Sequence, residues 1–212
     1  MLELERELWN KGYKYIACID EVGRGCLAGD VVACAIVLPA ELLIEGVKDS
    51  KKLTPKKREY LSEVIKDKAI AIGIGSMEAK AIDKFNIKEC TLIAMKKAIE
   101  KLKDKSGHKI IPDYVLIDAE KLDIKIPQRS IIKGDEKCHG IAAASIIAKV
   151  YRDRKCFEWA LEYPEYGFEK HKGYGTKVHI EAIKKYGPCL IHRKSFLTKI
   201  IGVPKQIGMF GD

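Results

Sequence analysis

The segment YIACIDE, residues 15–21, joins a run of apolar residues directly to two adjacent carboxylates. The same arrangement occurs twice more, in YVLID at residues 114–118 and in SIIKGD at residues 130–135. Each apolar run is typical of a buried strand, so each strand is predicted to carry an acid to its C-terminal end. In sheets with helices on both faces, ligands collect at the strand ends. The acids expected to converge there are Asp20, Glu21, Asp118 and Asp135.

Periodicity along the rest of the chain predicts an α/β protein. The apolar runs predict strands at about residues 13–19, 31–38, 69–76, 114–117 and 130–132. One helix is predicted to begin at Thr54-Pro55, where a capping residue is followed by proline at the first helical position. Three further helical patterns occupy residues 89–103, 139–161 and 176–186. This order predicts a mixed sheet of about five strands flanked by helices, with a helical C-terminal part.

The chain is expected to form one domain. Its 212 residues are enough for a single well-buried core, and no interior segment is typical of a linker. We predict a domain over residues 1–203 and a C-terminal tail over residues 204–212. Residues 1–11 and the tail from about residue 203 are expected to be loosely held.

The charge of the chain favours an anionic partner. Lysine and arginine number 39 against 30 aspartate and glutamate residues, which gives a net charge of +9. Basic residues crowd two segments, at residues 48–58 and 170–199. Such clusters are also typical of a plain solvated surface. Charge alone therefore leaves nucleic acid, an anionic membrane and a merely soluble basic protein open.

The seven cysteines indicate a reducing compartment. Their number is odd and no two have C-x-x-C spacing, which argues against a disulfide framework and against a zinc ribbon. The charged N-terminus is unlike a signal peptide, and the longest apolar run is too short to cross a bilayer. A cytoplasmic protein with no membrane partner is expected.

Four carboxylates in one place would repel one another, and burying them unpaired would be costly. A divalent cation removes this repulsion, and hard oxygen ligands select Mg²⁺ or Mn²⁺. Two such ions about 4 Å apart stabilise the attacking and leaving oxygens of phosphoryl transfer. Beside the first acid pair, Gly23-Arg24-Gly25 offers a closely approaching backbone and a guanidinium fork for phosphate or sugar. A single acid is more often a cap or an exposed residue, but the whole set indicates a metal nuclease.

Several blocks of the sequence, in order, resemble ribonuclease HII, the type 2 ribonuclease H family. The blocks are DEVGRG at 20–25 with LAG at 27–29, DSKKL at 49–53, KGD at 133–135 with IAAASIIAKV at 141–150, HKGYGT at 171–176 and HRKSF at 192–196. The resemblance covers about residues 14–200. It implies the ribonuclease H fold and an endonuclease that cuts RNA paired with DNA. It also implies nicking on the 5′ side of single ribonucleotides in duplex DNA, and hence roles in DNA repair and RNA primer removal.

The resemblance also implies roles for individual residues. The expected catalytic residues and metal ligands are Asp20, Glu21, Asp118 and Asp135, holding two Mg²⁺ or Mn²⁺ ions that Asp20 bridges. Products would carry 5′-phosphate and 3′-hydroxyl ends. The expected substrate-binding residues are Gly23, Arg24, Gly25, Tyr174, Lys51 and Lys149. The Gly23-Arg24-Gly25 segment would read the 2′-hydroxyl, and Tyr174 would pack on the sugar.

The chain departs from the family pattern near the expected site. Asp118 is followed by Ala119-Glu120 where the family has Gly-Asn, and Cys26 and Asp30 stand where bacterial members have proline. These departures leave the four acids in place. Glu120 is expected either to shift its loop or to lie near the metals, and Asp30 is expected to add negative charge there.

Other interpretations remain open at this stage. A receiver-type phosphorylation domain also has an acid pair after its first strand, but it needs no basic clusters. A hybrid-binding protein without catalysis is the second alternative. We expect a monomer that acts on RNA–DNA hybrid and on DNA containing ribonucleotides. The tail segment QIGMF, residues 206–210, is only partly similar to a sliding-clamp-binding peptide, because the spacing differs and the second aromatic is missing.

Overall fold

A computed structural model describes residues 1–48 and 50–202. The strands form one sheet and are β1 (Ile16–Val22), β2 (Val31–Val37), β3 (Ala71–Met77), β4 (Tyr114–Asp118) and β5 (Gln128–Ile131). The helices are α1 (Glu3–Asn10), α2 (Pro55–Lys68), α3 (Ala79–Phe85), α4 (Ile87–Glu100), α5 (Gly134–Lys137), α6 (His139–Glu162), α7 (Phe168–His171), α8 (Lys177–Tyr186) and α9 (Lys194–Ile201). A short 3-10 turn occupies Ser50–Lys52.

The sheet is mixed, and β1 lies at its centre. The strand order is β3-β2-β1-β4-β5. β2 runs antiparallel to both β1 and β3, whereas β4 runs parallel to both β1 and β5. Because a central strand is hydrogen-bonded on both sides, its register is fixed and its side chains cannot slip to the other face. Asp20 of β1 is paired with Cys34 of β2 in this register.

Helices cover both faces of the sheet. On one face α6 and α2 pack over Cys18 and Leu116, in a buried cluster that includes Ile141. On the other face α4 packs over Ile19, with Met95 fully buried between helix and sheet. Consecutive residues of β1 thus enter opposite apolar layers, as expected for a strand buried on both sides.

The C-terminal helices form a smaller apolar cluster of their own. Trp159, Phe168 and Leu197 are buried there together with Ala28, which comes from the segment between β1 and β2. The C-terminal part is therefore packed against that segment. In the described part of the chain, no helix combines the length and the apolar character needed to cross a membrane.

Most of the predicted elements are confirmed, with shifted boundaries. The five-stranded mixed sheet is present, and the Thr54 side chain caps α2 by accepting a hydrogen bond from the amide of Lys57. The expectation of a loosely held N-terminus is wrong, because residues 3–10 form a helix whose Leu8 is buried in the core. The predicted tail, residues 204–212, lies outside the described residues.

Strand β3 and helix α4 meet backbone to backbone. A Cβ atom at Gly75 would lie 2.0 Å from the carbonyl oxygen of Ala94, and one at Gly73 would lie 2.1 Å from that of Ala98. The atoms approached belong to the helix backbone, which cannot move aside without shifting the whole helix. The two glycines therefore set the distance between α4 and the sheet.

We expect Gly75→Ala to lower the free energy of unfolding by about 1–3 kcal/mol, the usual cost of overpacking a core. Urea unfolding followed by circular dichroism measures this change. Gly25→Ala is the matched control, because a Cβ at that position meets no atom within 4 Å. It should leave the free energy of unfolding within about 1 kcal/mol of the parent value. Parent-like stability of Gly75→Ala would contradict the close contact.

Candidate active site

Asp20 lies inside strand β1, and not after the strand as the sequence predicted. β1 extends to Val22 because β2 accompanies it that far, with Val22 paired to Val32. The Asp20 side chain is buried, and its carboxylate accepts a hydrogen bond from the amide of Glu21 at 2.7 Å. The hydroxyl of Ser145 on α6, which is hydrogen-bonded to that of Ser50 at 2.7 Å, lies close enough to lower the pKa of this carboxylate. The acid is thus held both by its own strand and by the helix that covers it.

Asp118 is the last residue of β4 and lies alongside Asp20. The parallel register pairs Ile19 with Ile117, so the next position on each strand carries an acid. An oxygen of Asp118 accepts a hydrogen bond from the amide of Gly134 at 2.7 Å. This bond joins the end of β4 to the turn that carries the fourth acid.

Asp135 lies in the first turn of α5, four residues after β5 ends, so it follows the strand through a turn and not directly. Before this turn, Lys133 adopts a left-handed conformation with φ 58°, which takes the chain away from the sheet. A Cβ at Gly134 would lie 3.2 Å from an oxygen of Asp118, so glycine allows the turn to approach β4. Asp135 is buried, and the amino group of Lys51 lies 3.8 Å from its carboxylate.

Burial and neighbouring acids raise the pKa of Asp20 and that of Glu21. Burial raises the pKa of Asp20 well above its usual value, and the charges of Glu21 and Asp118 raise it further. Burial also raises the pKa of Glu21, against the lowering effect of Arg24. In the described residues, no three of the predicted acids bring their oxygens within 4.8 Å of one another. Buried carboxylates that repel one another are nonetheless the donor set that a hard cation satisfies, so these residues fit Mg²⁺ or Mn²⁺.

Arg24 is held between two acids. Its guanidinium donates a hydrogen bond to Glu120 at 2.6 Å and lies 3.4 Å from Glu21. Ala119 adopts a left-handed conformation with φ 52°, and the turn it makes after Asp118 brings Glu120 to the arginine. Glu120 therefore shares the Arg24 guanidinium with Glu21, one of the predicted acids. Its carboxylate fixes the guanidinium beside the site.

Two fully buried arginines, Arg152 and Arg193, hold the segment between β1 and β2 through its carbonyl oxygens. We call this segment, residues 23–30, the glycine loop. The carbonyls bound by Arg193, at 2.7–3.0 Å, are those of Gly23, Arg24 and Gly29. The carbonyls bound by Arg152, at 2.7–3.0 Å, are those of Ala28, Asp30 and Lys172.

These arginines were not predicted as site residues. Arginine is rarely fully buried, so a sequence gives no reason to expect it beneath a loop. The available signal was that Arg193 lies within the HRKSF block and Arg152 lies two residues after the IAAASIIAKV block. Burial lowers the pKa of Arg193 to about 10, which leaves its guanidinium charged at neutral pH. Both side chains therefore act as permanent donors to the glycine loop.

Tyr174 lies on the turn before α8, next to the glycine loop. The amide of Leu27 donates to the carbonyl of Gly173 at 2.8 Å, which joins the turn to the loop. The carbonyl of Tyr174 accepts a hydrogen bond from Nδ1 of His179 at 2.8 Å. The tyrosine is 42% exposed, so part of the ring remains open to a ligand.

Neutral histidines support the turn that carries Tyr174. Because Nδ1 of His179 donates to the Tyr174 carbonyl, its Nε2 accepts the hydrogen bond from Nε2 of His192 at 3.0 Å. Nδ1 of His192 in turn accepts from the amide of Cys189 at 2.9 Å. Burial lowers the pKa of both histidines to about 4, so they are neutral at physiological pH, as these hydrogen bonds require.

The remaining predicted residues lie at the border of the site. Lys149 forms an ion pair with Asp153 at 2.7 Å, and Lys51 is the exposed lysine near Asp135 already described. The negative charge expected from Asp30 is neutralised by an ion pair with Lys155. Asp49, in one of the matched blocks, lies outside the described residues.

Comparison with known proteins identifies relatives along almost the whole chain. The family model for ribonuclease HII matches residues 17–199. A ribonuclease HII of Alkaliphilus oremlandii (strain OhILAs) is 58% identical over 200 residues, which are 94% of this chain and 98% of the relative.

Two solved structures share the fold. The ribonuclease H2 of Pyrococcus horikoshii OT3 gives a TM-score of 0.72 at 28% identity, over 88% of this chain and 96% of that one. The ribonuclease HII of Archaeoglobus fulgidus, solved as a complex with PCNA, gives 0.69 at 25% identity, over 86% of this chain and 94% of that one. Since the family model spans most of the sequence, this chain belongs to the ribonuclease HII family of endoribonucleases.

Proposed function

We propose that this enzyme hydrolyses the RNA strand of RNA–DNA hybrids and nicks duplex DNA on the 5′ side of a single embedded ribonucleotide. The observation that carries the proposal is the gathering of mutually repelling acids, Asp20, Glu21 and Asp118, beside a loop whose shape is held from its buried side. The acids suit cations that act on phosphate, and the net charge of +9 suits a polyanionic substrate.

The proposed ligands of two divalent ions, Mg²⁺ or Mn²⁺, are Asp20, Glu21, Asp118 and Asp135. When bound, such a pair supplies an activated water and stabilises the leaving 3′ oxygen, which gives 5′-phosphate and 3′-hydroxyl ends. Asp20 would hold the ions together with Glu21 on its own strand and Asp118 on the neighbouring strand. The amide of Glu21 orients the Asp20 carboxylate, and the amide of Gly134 orients that of Asp118.

The glycine loop and Tyr174 are the proposed readers of the ribose. Arg152 and Arg193 occupy the carbonyls on the buried side of the loop, while Gly25 stays exposed. A binding surface that is already in shape loses little entropy when the substrate arrives. A difference as small as one 2′-hydroxyl can then decide whether a nucleotide fits. Tyr174, joined to the loop through Gly173, is proposed to pack against the sugar at the junction.

The proposed partners are nucleic acids. Lys51 lies near Asp135, and Lys149 on α6 pairs with Asp153; we assign both lysines to the phosphate backbone. The enzyme is proposed to work as a monomer in the cytoplasm. The Archaeoglobus relative was solved with PCNA. A corresponding sliding-clamp contact here would use residues 206–210, which lie outside the described residues.

Asp20→Asn and Asp135→Asn are each expected to lower the cleavage rate by about a hundredfold or more, the loss typical of removing one electrostatic group from a preorganised site. Each change removes a charge and keeps the size of the side chain, so binding of hybrid should survive. Rates are measured on end-labelled duplex DNA with one ribonucleotide, in Mg²⁺ or Mn²⁺, and binding by gel shift. Asp67→Asn is the control, because this carboxylate is exposed and pairs with Lys105.

The same assay separates the alternatives. A nick on the 5′ side of the ribonucleotide that disappears with chelator, and no cut in all-DNA duplex, would support the substrate and the metal requirement. If either variant cuts at the parent rate, that acid is wrongly assigned. If the parent enzyme binds hybrid but cuts neither substrate with any metal, a non-catalytic hybrid-binding protein replaces the proposal.

Tyr174→Ala should slow nicking at a single ribonucleotide by about fivefold, because losing one aromatic packing surface costs on the order of 1 kcal/mol. Tyr174→Phe keeps the ring and should retain most of the rate. The ratio of nicking to cleavage of a long hybrid is the measured quantity, and the thermal midpoint checks the fold. Parent-like nicking by a folded Tyr174→Ala enzyme would remove the sugar-packing role.

Arg193→Lys should slow nicking at a single ribonucleotide by about tenfold, since one ammonium cannot replace a guanidinium fork on several carbonyls and buried acceptors would lose their donors. Cleavage of a long hybrid should fall less. Arg154→Lys is the control, because this arginine is half-exposed and pairs with Glu59 and Glu63. Equal losses on both substrates, together with a lower thermal midpoint, would show that Arg193 serves stability alone.

A further inference from the structure

A second group of potential metal ligands lies beneath the site, in the core. It consists of Glu5 from α1, Cys18 from β1 and Cys138 just before α6, and all three residues are buried. One carboxylate oxygen and both sulfur atoms lie within 4.8 Å of one another. The group joins three elements that are far apart in the sequence. Its thiols also distinguish it chemically from the all-oxygen set around Asp20.

The spacing of the two sulfur atoms fits a tetrahedral zinc ion. They lie 3.8 Å apart. Two sulfurs bound to Zn²⁺ at about 2.3 Å with tetrahedral angles would stand about 3.8 Å apart. The Cys138 sulfur lies 3.1 Å from a Glu5 oxygen, and a sulfur and an oxygen on the same ion would stand about 3.5 Å apart. A few tenths of an ångström of adjustment would therefore admit the ion.

Glu5 brings an unsatisfied oxygen to this place. Its Oε1 accepts hydrogen bonds from the amide of Gly140 at 3.0 Å and from the Cys138 thiol at 3.1 Å. Its Oε2 is buried and has no hydrogen-bond partner. A buried carboxylate oxygen without a partner is costly, and a cation is the ligand that would satisfy it. Glu5 is only 3% exposed, so bulk solvent does not reach this oxygen.

Two neighbouring features favour anionic ligands at this position. The amide that binds Glu5 belongs to the first turn of α6, a helix of 24 residues, whose N-terminal end carries partial positive charge. Gly140 also leaves space for a sulfur, because a Cβ there would lie 2.3 Å from the Cys18 sulfur. The neighbouring His139 does not compete for the ion through Nε2, which accepts a hydrogen bond from the amide of Ile44 at 3.0 Å.

We propose that Glu5, Cys18 and Cys138 form a structural site for a thiophilic divalent cation, Zn²⁺ by its chemistry. On binding, each thiol loses its proton to solvent, and the two thiolates and the carboxylate coordinate the ion. Oε1 of Glu5 keeps its bond to Gly140 and coordinates the ion in place of its hydrogen bond from the Cys138 thiol, and the positive charge of the ion compensates the buried, unpartnered Oε2. The fourth position is left for a ligand the size of water. Such an ion ties α1 and β1 to the start of α6.

The test measures metal that survives a chelator. The full chain is produced in medium with added Zn²⁺, dialysed against EDTA to strip the all-oxygen site around Asp20, and analysed for zinc by mass spectrometry. We expect one equivalent of zinc to be retained. Protein produced with Co²⁺ should show the intense near-ultraviolet charge-transfer absorption of thiolate bound to cobalt, which carboxylate sites do not give.

Variants of the three proposed ligands test which residues bind the ion. Cys18→Ala and Cys138→Ser should each lose the retained zinc and the cobalt absorption, and Glu5→Gln should lower zinc retention at least tenfold. Cys90→Ala is the matched control, because Cys90 is buried on the opposite face of the sheet and should change neither signal. The thermal midpoint of each variant confirms that it is folded, and Cys18→Ala is the milder change should Cys138→Ser fail to fold.

Three results would overturn the proposal. The first is parent protein that retains no zinc and shows no thiolate absorption with cobalt. The second is zinc retention that is unchanged in both cysteine variants, which would place the ion elsewhere. The third is a parent chain lighter by two hydrogens whose Cys18 and Cys138 do not react with a thiol reagent after unfolding, which would make the pair a disulfide.

Discussion

Carboxylates buried around a central strand are the constraint on which the rest of this structure depends. Asp20 cannot swing into water, because β1 has a neighbour on each side and α6 covers its face. Glu21 and Asp118 carry the same charge and raise the pKa of Asp20. The fold holds these like charges close together, and moving them apart would break the sheet. A bound cation is therefore what reduces the repulsion between the carboxylates. The rigidity that prevents the acids from moving apart also determines where a cation is held.

A second constraint comes from the glycine loop, whose carbonyls have no regular strand partner. The loop makes an isolated bridge between Ala28 and His192, and most of its other carbonyls are satisfied by two guanidinium groups. A guanidinium offers five donors in one plane, so one side chain can serve several carbonyls at once. Arg152 comes from α6 and Arg193 from the residue before α9. The C-terminal helices are therefore what keeps the loop beside Asp20 in shape.

The sheet and most helices were predictable because their signals are local: apolar runs, a threonine cap and a proline at the first helical turn. Other features depend on partners distant in sequence. Asp20 was placed after β1, but the end of a strand depends on how far its neighbour accompanies it, and β2 does so to Val22. The burial of Arg193 follows from carbonyls about 170 residues away, which no local pattern reports. The N-terminal helix was missed because its charged residues are typical of surface, although Glu5 is buried.

Helix α6 contacts β1 at two levels, and the spacing of these contacts links the core to the active site. Gly140 lies against the Cys18 sulfur, and Ser145 lies close enough to Asp20 to lower the pKa of its carboxylate. Five residues of helix rise about 7.5 Å, and two residues of strand rise about 6.6 Å. The spacing of the two contacts along α6 therefore nearly equals their spacing along β1. Cys18 and Asp20 are two positions apart on one strand and therefore point to the same face. Whatever sets the distance between β1 and α6 at Gly140 also sets it at Ser145, because both elements are rigid over this length. An ion held at Cys18 would therefore stabilise the position of the Asp20 carboxylate without touching it.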